Sequence, residues 1–241
     1  MFSYAYQVAT LTSVLSLDSP PVAVVFSEEP PAGVTRVGSA ALAGCAYWKQ
    51  AAEGHVFYTA AADHLGCAIG AHTHGAELEP SNKAELERML ALMTEVGYIA
   101  AEEVPSIPVR PGKLAFVTYA PLTSTPAQPD LVLIRCTARA SMLLSEAVHA
   151  AAARADTAPV MRPACAMLPQ VLASARAATS FGCMGNRLYT GCRTARCGTR
   201  CRALASTRSS GNCPRSPPRT APLRRFTRGA WKPQHACRSW P

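Results

Sequence analysis

Apolar and polar positions change their period several times along this chain, and each change marks an element. "YAYQVATLTSVLSL" (4–17) reads as a short helix. "PPVAVVFS" follows as a β-branched strand entered through prolines. The clearest helix is "NKAELERMLALMTEVGY" (82–98). There Leu86, Met89, Leu90 and Met93 make one apolar stripe, Asn82 and Glu85 fit a capping box, and Gly97 supplies the stop. "KLAFVTYAPL" and "DLVLIRC" are apolar runs bounded by Pro and Asp, which suits buried strands; Cys136 ends the second as a core residue. "ARASMLLSEAVHAAAARA" (138–155) is an alanine-rich helix, and "NRLYT" (186–190) alternates as a strand would. Strands mixed with helices of this length predict a single α/β or α+β domain over residues 1–191.

After Thr190 the order ends. Residues 192–241 contain no Ile, Val, Met or Tyr, show no period, and carry six prolines. They are expected to form an irregular, unstructured basic tail. Charge divides at the same place. The tail holds 12 of the 24 Lys and Arg and no acid, whereas residues 1–191 carry a formal charge of −3. The overall charge of +9 therefore misleads. The main body has no basic face to track phosphates, and nucleic acid is not an expected partner. No Lys or Arg precedes Arg36, so the charged start of a signal peptide is missing, and no apolar run is long enough to span a membrane. A soluble cytoplasmic protein is expected, where cysteines serve as ligands or thiols more often than as disulfides.

The candidate chemistry lies in the cysteines. Cys45, Cys67, Cys165 and Cys183 sit in short segments rich in Gly and Ala: "LAGCAYWKQAAEG", "ADHLGCAIGAHTHG", "RPACAMLP" and "SFGCMGNRLYTG". Glycines let backbone approach a bulky group closely. Four thiolates are the usual complement of an iron–sulfur cluster or of tetrahedral zinc. No two of the four form a C-x-x-C pair, so the fold would have to bring them together. Otherwise they are small buried hydrophobes and no cofactor is implied. His64 is a candidate ligand, proton donor or capping partner, and Asn186 and Arg187 are accessory candidates, the arginine for a carboxylate or phosphate. His72 and His74 read as exposed loop residues. No phosphate-binding loop, dinucleotide fingerprint, zinc-protease or serine-hydrolase motif occurs, so whether the chain is an enzyme stays open. The leading expectation is a metal or iron–sulfur protein, redox-active toward an unknown electron partner. The rival is a metal-free enzyme or small-molecule binder with a cleft lined by His64, Cys67, Cys183 and Arg187.

The same segments, in the same order and joined by "PPVAVVF" and "PDLVLIR", resemble domain-of-unknown-function family 169, a cysteine-containing family of bacteria and archaea. The resemblance spans roughly residues 10–191, with the two Cys-Gly segments its most specific parts. It implies that Cys45, Cys67, Cys165 and Cys183 form one set, and it supplies no reaction. It also stops where the tail begins. Codons that encode "CRTARCGTRCRA" (192–203), read one base back, encode "LPDGEMWYAVPG". That peptide restores acids, aromatics and a Pro-Gly turn. The tail is therefore expected to be translated in a shifted frame, with Cys192, Cys197, Cys201, Cys213 and Cys237 as accidents of frame.

Overall fold

A computed structural model describes residues 3–152, 159–191 and 200–205, the last as backbone. These residues fall within one compact unit, Met1–Arg208. Seven α-helices and six strands are described. The helices are α1 (Ala5–Leu15), α2 (Cys45–Ala52), α3 (Ala68–Thr73), α4 (Pro80–Glu95), α5 (Ala138–Ala152), α6 (Met167–Ser174) and α7 (Met184–Thr190). The strands are β1 (Val22–Ser27), β2 (Phe57–Ala60), β3 (Phe116–Pro121), β4 (Leu131–Cys136), β5 (Ala178–Ser180) and β6 (Arg200–Ala205). They form one sheet in the order β2-β3-β1-β4-β6-β5, with every pairing antiparallel. The mixed fold is thus of the α+β kind.

The period-2 alternation of the strands sorts side chains onto two faces. Val22, Val24, Val117, Tyr119, Leu131 and Leu133 pack against Tyr47 and Trp48 of α2 and Met167, Leu168 and Val171 of α6. On the other side Ile134 and Cys136 meet Leu15 of α1 and Ala140 and Leu144 of α5, while Ala23 meets Val8. Tyr119 centres the larger core. It stacks on Tyr47 at 5.7 Å between ring centroids and lies 5.8 Å from Phe57, its cross-strand neighbour.

Three sequence expectations change. The fourth helix begins at Pro80, an N1 proline, so Asn82 lies inside it and its amide donates to the Leu65 carbonyl at 3.3 Å instead of capping. Its apolar stripe is only half-buried. "NRLYT" is helical, not extended. Gly182, at φ +79°, turns the chain out of β5, and Cys183 then caps α7. The local alternation is the short-run ambiguity between helix and strand, settled by the turn before it. Finally, Arg200–Ala205 lies inside the span expected to be irregular, yet forms β6 between β4 and β5. Backbone pairing there needs no particular side chains, and a gap between two strands offers donors and acceptors to whatever segment reaches it. Residues 192–199 and 206–241 lie outside the described residues, and with them Cys192, Cys197, Cys213 and Cys237.

Candidate functional site at four helix starts

Each of the four cysteines expected to act together opens a helical segment. Cys45 is the first residue of α2, behind Gly44. Cys67 is the N-cap of α3, and Cys183 that of α7. Cys165 lies in the 3₁₀ turn Ala164–Ala166 that runs into α6. Sequence explains these starts locally. Gly66 leaves room that a side chain would not, since a Cβ there would lie 2.7 Å from the Ala41 carbonyl oxygen. Pro163 caps the turn that carries Cys165.

None of the four is in a disulfide among the described residues, and all are partly buried. Cys165 is the hub, within electrostatic range of Cys183, Cys67 and Cys45; Cys67 and Cys183 also feel each other. The Cys165 thiol points to the Ile69 carbonyl at 3.9 Å, and Thr73 hydrogen-bonds it. The Asn186 backbone N–H donates to Cys183 Sγ at 3.4 Å. Burial pushes the Cys67 thiol up and the Cys165 thiol well up, each opposed by hydrogen bonds, so both are protonated near neutral pH when nothing is bound. Among the described residues no group of three or more His, Cys, Asp or Glu is placed to hold a single metal ion.

Tyr98 completes the surroundings, and nothing in the sequence singled it out. Its hydroxyl is buried without a hydrogen-bond partner. Burial, together with Cys183 and Cys165, raises it to about 12, opposed by Arg162 and Arg187. The Arg162 guanidinium lies 5.9 Å from the Tyr98 ring centroid.

The accessory residues divide. His64 is 1% exposed and sits on Thr59, Nε2 to Oγ1 at 2.8 Å, while its Nδ1 has no partner. Gly44 covers that nitrogen: a Cβ on Gly44 would lie 3.1 Å from it. Burial, aided by His74, pulls His64 down to about 3. It is a neutral core histidine beside the Cys45 helix start. His74, expected in an exposed loop, is also 1% exposed, 5.3 Å from His64 between ring centroids, with Nδ1 on the Gly70 carbonyl at 2.7 Å. Arg187 donates to the Phe181 carbonyl at 2.8 Å and so braces the turn before α7. Asn186 is 3% exposed, and its Nδ2 has no partner.

Two contacts fix the Cys67 loop. Arg36 grips Asp63 with two bonds, 3.1 and 2.9 Å, and Asp63 also accepts the Ala60 N–H at 2.8 Å. The Tyr47 hydroxyl donates to the Asp63 carbonyl at 2.7 Å and accepts the Ala41 N–H at 2.8 Å. A cavity of about 300 Å³ lies elsewhere, between α2, α7 and β4. Its walls include Asn186 but not His64, Cys67, Cys183 or Arg187, so it is not the cleft expected from the sequence.

No helix among the described residues is long and apolar enough to cross a membrane. No curated protein and no solved structure matches the chain. Residues 10–196 match the model of the family described as uncharacterised ArCR, and this is most of the chain, including all four cysteines. The chain therefore belongs to domain-of-unknown-function family 169, the uncharacterised ArCR family.

Proposed function

We propose that Cys45, Cys67, Cys165 and Cys183 ligate an iron–sulfur cluster, through which the protein exchanges single electrons with a partner. The observation that carries this reading is the placement of Cys165 within electrostatic range of the other three sulfurs, each at the start of a different helical segment. Zinc fits less well. A tetrahedral ion with bonds of about 2.3 Å draws its thiolates to about 3.8 Å from one another. No such grouping for a single ion occurs among the described residues. A cluster gives each cysteine its own iron and so accepts a wider, looser set. Polar groups nearby suit the same reading. The Asn186 N–H donates to Cys183 Sγ, the Tyr98 hydroxyl lies within electrostatic range of Cys183 and Cys165, and donors to sulfur tune cluster potential.

The raised thiols give a pH dependence with a definite sign. Cys67 and Cys165 must lose protons to bind, so loading releases protons and strengthens as pH rises. Protein purified without oxygen is expected to contain iron and acid-labile sulfide and to show a broad visible absorption that bleaches on reduction. Cys165→Ser should remove most of the iron while the far-ultraviolet dichroism stays unchanged. Iron-free, sulfide-free protein that also fails chemical reconstitution with ferrous iron and sulfide would overturn the proposal. Stoichiometric zinc without sulfide would replace the cluster by a single ion.

A further inference from the structure

We infer that Thr73 sets the redox potential of the thiol site: its hydroxyl hydrogen turns from the Gly70 carbonyl to Cys165 Sγ once that sulfur is a ligand. This rests on the cluster reading above and names a residue that regulates the same site. Thr73 ends α3, the helix that Cys67 caps, and is 0% exposed. It also hydrogen-bonds the Cys165 thiol. It therefore ties the helix that starts at one cysteine to the 3₁₀ turn that carries another.

A hydroxyl has one hydrogen, and here two acceptors contend for it. Thr73 Oγ1 lies 3.0 Å from the Gly70 carbonyl oxygen. That same oxygen receives the His74 backbone N–H at 3.1 Å and His74 Nδ1 at 2.7 Å. A carbonyl only accepts, so it fixes the imidazole proton on Nδ1 and leaves Nε2 as the buried nitrogen without a partner. Three donors thus crowd an oxygen with two lone pairs. Gly70 loses Thr73 and remains satisfied. Cys165 has the opposite balance. As a thiol it carries its own hydrogen, which points to the Ile69 carbonyl 3.9 Å away. As a ligand it has no hydrogen, bears negative charge and only accepts. A hydrogen bond to a charged acceptor is roughly twice as strong as a neutral one, so the hydroxyl then favours sulfur. An added electron increases the charge on sulfur, and a donor there stabilises the reduced form. Thr73 is a positioning residue that raises the potential.

The test uses the full chain, loaded with ferrous iron and sulfide without oxygen. A redox titration followed by visible absorption reads the midpoint potential. Thr73→Val removes the hydroxyl, nearly keeps the shape and leaves the Gly70 carbonyl both of its His74 donors. It should hold as much iron and sulfide as the wild type but at a lower potential. At the wild-type midpoint its reduced-to-oxidised ratio should fall by about two- to ten-fold. Thr73→Ser keeps the hydroxyl and should restore the wild-type potential, which a role in packing alone would not. Thermal melts check folding, and Thr73→Ala takes the place of Thr73→Val if the latter does not fold. A wild-type potential in the folded, loaded Thr73→Val chain would overturn the inference and leave the cluster reading standing. So would a lowered potential that Thr73→Ser does not restore. A wild-type chain that takes up no iron and sulfide would overturn both.

Discussion

Buried imidazoles set the sharpest residue-scale expectation. His64 and His74 lie side by side in the core with their rings tilted by 32°, each with one ring nitrogen lacking a partner. Desolvation is the largest influence on both, lowering them to about 3 and about 4 from an ordinary 6.5. The folded chain keeps both neutral while the unfolded chain takes up protons below about pH 6.5. Stability is therefore full above that value and falls with acid, by about 1.4 kcal/mol per pH unit for each histidine, until the folded values are reached. Urea midpoints measured between about pH 7.5 and about pH 5 should fall accordingly. A flat profile would mean that these rings titrate normally. Gly182 gives a second expectation. It has φ +79° and faces Asn186 Oδ1. Gly182→Ala should cost at least about 1–2 kcal/mol from backbone conformation alone. A Cβ there would also press on Asn186 Oδ1, and a urea titration of the variant reads the combined loss. The four cysteine segments were legible because Gly and Pro crowd around each thiol. Tyr98 was not, because an unpartnered hydroxyl beside two distant cysteines leaves no local pattern.

At the scale of elements, β6 matters most. Six register pairs join it to β4, from Leu131 with Ala205 to Cys136 with Arg200, and three join it to β5. A chain ending at Gly191 leaves both neighbours with open edges, and its melting temperature should drop by several degrees, since about 1 kcal/mol shifts a domain of this size by about 2–4 °C. The frame proposal belongs here too. "LPDGEMWYAVPG", decoded one base back over 192–203, supplies the continuous apolar run MWYAV near the same strand. We propose that the restored frame supplies the native partner of these edges through the apolar run that ends before its Pro-Gly pair, and that a gene with the frame restored yields a protein with a higher melting temperature. Sequencing the gene tests the first half and a thermal melt the second. No gain in stability would count against it. The helices at 5–15, 80–95 and 138–152 were legible from period and stops. "NRLYT" was not, because five residues fit both periods and only the Gly182 turn and the Cys183 cap decide between them.

For the whole molecule, charge gives the remaining expectation. All 15 Asp and Glu lie at or before Asp156, and half of the basic residues lie after Gly191. A chain ending at Gly191 should therefore bind neither DNA nor RNA at physiological salt, while any affinity of the full chain should weaken steeply as salt rises. Gel-shift titrations at two ionic strengths read both. Tight binding by the shortened chain would refute the charge argument. The sequence by itself determined the strands around Val24, Tyr119 and Leu133, because β-branched and aromatic runs bounded by turns have few other outcomes. It determined three long helices through their apolar period, and it marked four thiols through the residues beside them. Tertiary structure alone decided the antiparallel order of the sheet, since strand runs carry no record of their neighbours. It alone brought Cys165 from a 3₁₀ turn among cysteines up to 120 positions away, because closing such loops rests on the packing of helices and not on local pattern. And it alone buried His64, His74 and Asn186, whose polar side chains carry no local sign of burial until the core closes over them.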